Sequence, residues 1–126
     1  MLTPQNNIAV YFEIPVKDMA RAKIFYQRVF AVTFTTEVID NHPMALFPFH
    51  TQGSGITGAL AYGDSYEPGQ SGIRIYFAVT DIDATLDLAT AAGGRIFYPK
   101  KQLADVGWVA EIIDSEGNII ALQQAP

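Results

Sequence analysis

The 126-residue chain is 49% hydrophobic and only 17% charged, the size and composition of one compact domain, which excludes a disordered or fibrous protein. Its net charge of −5, with no run of Lys or Arg, argues against a nucleic-acid or anionic-membrane partner, since either needs clustered cations. Cysteine is absent, which excludes disulfides and thiolate metal sites, and no stretch reaches the roughly 18 apolar residues of a membrane span, so a cytoplasmic protein without a signal peptide is expected.

The first element is IAVYFEI. Its alternation puts Ile8, Val10, Phe12 and Ile14 on one face and Ala9, Tyr11 and Glu13 on the other, as in a strand with one apolar face. Asp18 then suits a helix N-cap. Met19, Ala22, Phe25, Tyr26 and Val29 recur at three- and four-residue spacing, which predicts a helix from about Met19 to Phe30 with that stripe toward the core. The charges of VKDMARAK read as its solvated face. AVTFTTEVID, PMALFPF and ITGALAY predict three strands, separated by Asn-His-Pro and by the Gly-rich TQGSG. DSYEPGQSG, polar and containing Pro68, Gly69 and Gly72, marks a junction. Beyond it GIRIYFAV predicts a strand. Asp81 caps a second helix with Ile82, Leu86, Ala89 and Ala92 as its stripe, and Gly93-Gly94 ends that helix. RIFYP, GWVAEIID and NIIALQQ predict three more strands, with DSEG a tight turn between the last two.

The order strand, helix, strand, strand, strand thus occurs twice. Val16 pairs with Val79, Asp18 with Asp81 and Met19 with Ile82, at a constant offset of 63 positions, the mark of a duplicated module. The expected architecture is one α+β domain over 1–126, with a βαβββ module at about 5–64 and a second at about 72–124. Two such modules, the segments PVKDMARAKIFYQRVF and VTDIDATLDLATAAGG that open their helices, and the ending DSEGNIIAL resemble the vicinal oxygen chelate superfamily, the glyoxalase, bleomycin-resistance and extradiol-dioxygenase group. The likeness runs over nearly the whole chain. It implies two curved sheets with helices outside and a cavity enclosed by the concave faces. One fold hosts many chemistries, so function must be argued from the site.

Enzymes of that superfamily usually hold one divalent metal on His and carboxylate side chains that project from strands. Carried over from the shared Val and Asp landmarks, the first-strand ligand position falls on Tyr11, its counterpart on Arg74 and that of the final strand on Ala121. The remaining position, near GITGALAY, meets only Gly, Ala, Leu and Tyr. None supplies the donors such an ion needs. A guanidinium about 4 Å from a doubly charged ion would also repel it by about 8 kcal/mol at an effective dielectric of about 20. No metal and no other cofactor is therefore expected. His42 and His50, the only histidines, flank PMALFPF. Extended backbone would hold them roughly 26 Å apart, too far to share an ion, and both read as solvated loop residues.

What the resemblance implies instead is a cavity wall. Alternation within that fold turns Tyr11, Glu13, Arg74, Tyr76, Glu111 and Gln123 toward one concave face, while Ile73, Ile75 and Phe77 turn to the helices. Aromatic walls with a few convergent polar groups are what small-molecule sites have. Arg74 is the expected main polar determinant, because a permanent charge must find an anion: Glu13, Glu111, or a carboxylate or phenolate of the ligand. Glu13 and Glu111 also suit general acid–base work, and the residues leave ion pairing and catalysis both open. One reading is a metal-independent binding protein of the bleomycin-resistance kind for a small organic molecule, an anionic one included. Another is a lyase or dioxygenase-like enzyme using a divalent metal, and a third is a mainly structural or interaction role. Pairing of modules across subunits, common in the superfamily, together with strand-rich edges to cover, implies a homodimer.

Overall fold

The computed structural model describes residues 7–126. Both halves build the same unit. The first consists of β1 (Phe12–Pro15), α1 (Met19–Phe30), β2 (Thr35–Ile39), β3 (His42–Leu46) and β4 (Gly58–Ala61). The second consists of β5 (Tyr76–Ala78), α2 (Ile82–Ala91), β6 (Arg95–Leu103), β7 (Gly107–Ile113) and β8 (Ile119–Gln124). Each unit is a four-stranded sheet, ordered β1-β4-β3-β2 and β5-β8-β7-β6. In each, the strand before the helix pairs parallel with the unit's last strand, and the other pairs are antiparallel. The duplication read from the sequence is thus also one of topology.

Each helix starts on its expected cap. The Asp18 carboxylate accepts from the Arg21 amide at 3.0 Å and that of Asp81 from the Ala84 amide at 3.1 Å. The β2–β3 turn lies earlier than Asn-His-Pro suggests. Asp40 and Asn41, with φ of 51° and 63°, supply the two left-handed positions of a tight hairpin, so His42 and Pro43 belong to β3. Strand extents differ as well: IAVYFEI is strand only from Phe12, GIRIYFAV only at Tyr76–Ala78, while β6 runs past RIFYP to Leu103. Consequently Ile8, Val10 and Ile73, at 78%, 80% and 88% exposure, are not core residues. Alternation orients side chains but buries them only where something packs on that face.

One core joins both units. Ala22, Phe25, Tyr26 and Val29 of α1 and Ile82, Leu86 and Ala89 of α2 are buried, and the two helices touch each other. They meet the sheets through Ile14, Leu60, Ala110, Ile112, Ile120 and Leu122. Aromatic rings tie the halves together: Phe30 stacks on Phe77 at 4.7 Å, and Phe12 meets Phe47 and Phe77 at 5.6 and 5.9 Å. Since Phe12 is in β1 and Phe77 in β5, these contacts bring the first strands of the two units together.

The turn Asp114–Gly117 is a second tie. Gly117 takes the left-handed position at φ 90°, which lets the preceding acids point back into the molecule. The Glu116 carboxylate accepts from the Lys17 and Asp18 amides at 2.8 Å each, and from Arg21 Nε and Nη2 at 2.8 and 3.0 Å. VKDMARAK is therefore more than a solvated face, because its Arg21 anchors a residue of the other unit. No helix of the described residues is long and apolar enough to cross a membrane.

Candidate functional site

A cavity of about 640 Å³ lies at the approach of β1 and β5, walled also by the connecting segment around Gly69 and by the start of β8. Its volume suits a drug-sized molecule. Tyr11, Glu13, Arg74 and Tyr76 all line it. Tyr11 and Arg74 are 63 positions apart, as are Glu13 and Tyr76, so duplication delivers equivalent positions of the two units to one wall. Phe12, Ile14 and Ile75 pack on the core and also border the cavity, which takes residues from both faces where the two chain segments approach.

In the second sheet, one face carries a row of direct strand partners: Tyr76, Ala121, Glu111 and Tyr98 across β5, β8, β7 and β6. Glu111 stands behind the wall and accepts from Arg74 Nε at 3.2 Å. The two side chains are 28% and 20% exposed, Arg74 being the more open. The guanidinium also lies 5.9 Å from the centroid of the Phe97 ring. Arg74 is thus on the expected face, with Glu111 as its anion. Gln123 departs from expectation. It faces Ala78 and Val109 in the adjoining row, but its amide donates to the Val106 carbonyl at 3.0 Å and it does not line the cavity. A loop carbonyl within reach takes the donor that alternation alone aims at the cavity.

Glu13 and Glu67 are the carboxylates of the wall, and Glu13 is the one held by phenols. The Tyr11 hydroxyl donates to its Oε2 at 3.0 Å and the Tyr66 hydroxyl to its Oε1 at 2.7 Å. Burial, and then the bond to Glu13, pushes the Tyr11 phenol up to about 12. Tyr66 is raised too, chiefly by its bond to Glu13, so both remain protonated donors at neutral pH. Tyr66 packs with Met44, Leu46, Ala59 and Ala61, a small second core on the open face of the first sheet. Its ring meets His42 edge-on at 5.5 Å. His42, with Nδ1 2.7 Å from the Asp40 carbonyl oxygen, is accordingly a packed strand residue and not a solvated loop residue. His50 is exposed in the loop after β3.

Sequence reasoning misses Tyr66 and Asn118. An aromatic side chain in the otherwise polar DSYEPGQSG was the one available signal for Tyr66. Asn118, buried, donates from Nδ2 to the Pro15 carbonyl at 2.8 Å and accepts at Oδ1 from the Gly69 amide at 3.1 Å. It joins β1, the connecting segment and the β7–β8 turn at one end of the cavity.

These donors do not fit the divalent ion that the resemblance implies. Tyr11 keeps its proton and donates a hydrogen bond to Glu13, Arg74 is a cation already paired with Glu111, and Ala121 has no side-chain ligand atom. Among the described residues, no three His, Cys, Asp or Glu side chains gather where they could hold a metal.

Known proteins share this fold. A family profile described as the Glyoxalase/Bleomycin resistance protein/Dioxygenase superfamily matches residues 8–122. A protein of Mycobacterium tuberculosis (strain CDC 1551 / Oshkosh), provisionally named glyoxylase CFP32, is 36% identical over 74 residues, covering 55% of this chain and 28% of that protein. The chain therefore spans well under half the length of the curated relatives it matches. Among solved structures, TnmS3, an antibiotic binding protein from Streptomyces sp. CB03234, superposes with a TM-score of 0.73 at 20% identity, over 98% of this chain and 100% of that one. FosX, a fosfomycin resistance protein from Listeria monocytogenes, gives 0.70 at 16% identity, over 98% and 94% of the two chains. At these identities the likeness is one of fold.

Proposed function

This chain belongs to the glyoxalase/bleomycin resistance protein/dioxygenase superfamily, and we propose that within it the protein binds a small organic molecule in the cavity between β1 and β5 without using a metal. The observation that carries the reading is the identity of the residues at the superfamily's ligand positions. A phenol, a guanidinium and a methyl group stand where an ion needs anionic or imidazole donors, yet the cavity remains open and partly aromatic. TnmS3, described as an antibiotic binding protein, supports the same direction.

Purified protein is expected to carry less than about a tenth of a divalent ion per chain, and chelator should leave its melting temperature unchanged, because an ion bound only to the native state would stabilise it. Stoichiometric Zn, Ni, Mn or Fe would instead favour a lyase or dioxygenase-like enzyme. Binding itself is read by calorimetry or fluorescence against a panel of aromatic small molecules.

A homodimer is part of the proposal. Every residue of the edge strands β2 and β6 is exposed, with Val38, Ile96, Phe97 and Tyr98 among them, and such edges are usually covered or paired. Light scattering at micromolar concentration is expected to give about twice the chain mass of 13.8 kDa. The single-chain mass would count against it.

A further inference from the structure

The charges at the cavity do not cancel. Three charged side chains line it: Glu13, Glu67 and Arg74. Arg74 is answered by Glu111 at 3.2 Å and by the face of Phe97, and Glu67 is answered by Lys17 at 3.0 Å. Glu13 forms no ion pair among the described residues. Its partners are the hydroxyls of Tyr11 and Tyr66, which orient the carboxylate without neutralising it. Among the described residues, the one unanswered charge on the wall is negative.

Resting on the binding reading above, we propose that the cavity takes a ligand with a positively charged amine on an apolar, aromatic skeleton, and that Glu13 recognises the charge. Each oxygen of Glu13 already accepts one phenol hydrogen bond, which leaves lone pairs free for an ammonium donor. Tyr11 and Tyr76, 45% and 55% exposed on the same wall, offer ring faces to a cation. Ile56, Ile73 and Ile119 offer the apolar surface for the rest of the molecule. An anion would meet the Glu13 charge and would have to share Arg74 with Glu111. The anionic ligand expected from Arg74 alone is thus replaced by a cationic one, because Arg74 is matched inside the protein and Glu13 is not.

Three tricyclic probes of similar size separate the possibilities: proflavine, cationic at neutral pH; acridone, neutral; and acridine-9-carboxylate, anionic. Fluorescence titrations in about 0.15 M salt, which screens general attraction to an acidic protein, are expected to give one proflavine per chain, bound at least about tenfold more tightly than acridone. The carboxylate should bind most weakly. Glu13→Gln should cost proflavine about tenfold or more, and more than it costs acridone. The ranking is read on wild-type protein and does not depend on that variant folding. Equal affinities or the reverse order would overturn the charge assignment while leaving the binding reading intact. Binding of none of the three would overturn both.

Discussion

Replacing Asp114 with alanine is expected to destabilise the protein by about 2 to 4 kcal/mol, read as a lower urea midpoint at unchanged slope. Asp114 is only 3% exposed. Its Oδ1 accepts from the Glu116 and Asn118 amides at 2.8 and 2.9 Å, and its Oδ2 from the Tyr26 hydroxyl at 2.6 Å and Asn118 Nδ2 at 3.2 Å. Tyr26 is completely buried, so its hydroxyl has no water to turn to, and each orphaned buried donor costs about 1 to 3 kcal/mol. Desolvation of the carboxylate runs the other way. Burial raises the Asp114 pKa above its ordinary value, even though the bonds from Tyr26, Asn118 and Glu116 favour the charge, so deletion relieves part of the cost. Asp114→Asn keeps an oxygen for the two turn amides but sets an amide nitrogen, itself a donor, against the Tyr26 hydroxyl and Asn118 Nδ2, so it should recover only part of the loss. If alanine is no worse than asparagine, the hydroxyl and amides have found other partners and the turn is not a tie between the units.

Asp114 illustrates which parts of the molecule could be read in the sequence. Signals within a few residues were legible: both N-caps, both bounds of α1, and the face of β5, where Arg74 and Tyr76 alternate with Ile75 and Phe77. The 63-residue offset made the second unit legible from the first. The opposite held for contacts between residues far apart in sequence. DSEG reads as a turn, but nothing in its spacing says that Glu116 meets Arg21, 95 positions away, or that Tyr66 reaches Glu13 across 53. Strand ends were misjudged for a related reason. Alternation continues through Ile8 and Val10, whereas pairing begins only where β4 begins, at Gly58.

The candidate site shows the same division. Tyr11, Glu13, Arg74 and Tyr76 border the cavity, yet alternation left Glu13 and Glu111 as equal candidates to answer Arg74. Register decided between them. Glu111 lies in the row of Tyr76 and Ala121, within reach of the guanidinium, while Glu13 is held by two phenols from its own unit and the connecting segment. Charge balance in the cavity is thus a property of tertiary pairing, and the polarity of the ligand cannot be inferred from Arg74 by itself.

Glu116→Gln is expected to remove about 3 kcal/mol of stability at pH 7, a loss that fades as pH falls toward 2. The Glu116 side chain is fully shielded from solvent, and burial alone would raise its pKa. The bonds from Arg21, the Asp18 amide, Ser115 and the Lys17 amide outweigh that and hold the carboxyl at about 2, against 4.5 in the unfolded chain. An acid with a depressed folded pKa contributes its stability above the unfolded value and loses it as pH falls through the folded one. At about 1.4 kcal/mol per pH unit, the window from 4.5 to about 2 is worth about 3 kcal/mol. The physical source is the start of α1, whose first turn contains no acidic residue, whereas α2 has Asp83 there. Glu116 brings the missing negative charge to the helix N-terminus from the other unit and adds a two-pronged bond to Arg21. Asp114 shifts in the opposite sense, so its ionisation lowers stability as pH rises above 3.8. Its contribution is largely common to both proteins, and the difference between wild type and Glu116→Gln reports Glu116. Urea unfolding at several pH values from 2.5 to 7 should show the two curves converging in acid. A gap that stays undiminished below pH 3 would mean that Glu116 acts through shape and packing, and that charge is not what holds α1 to the second sheet.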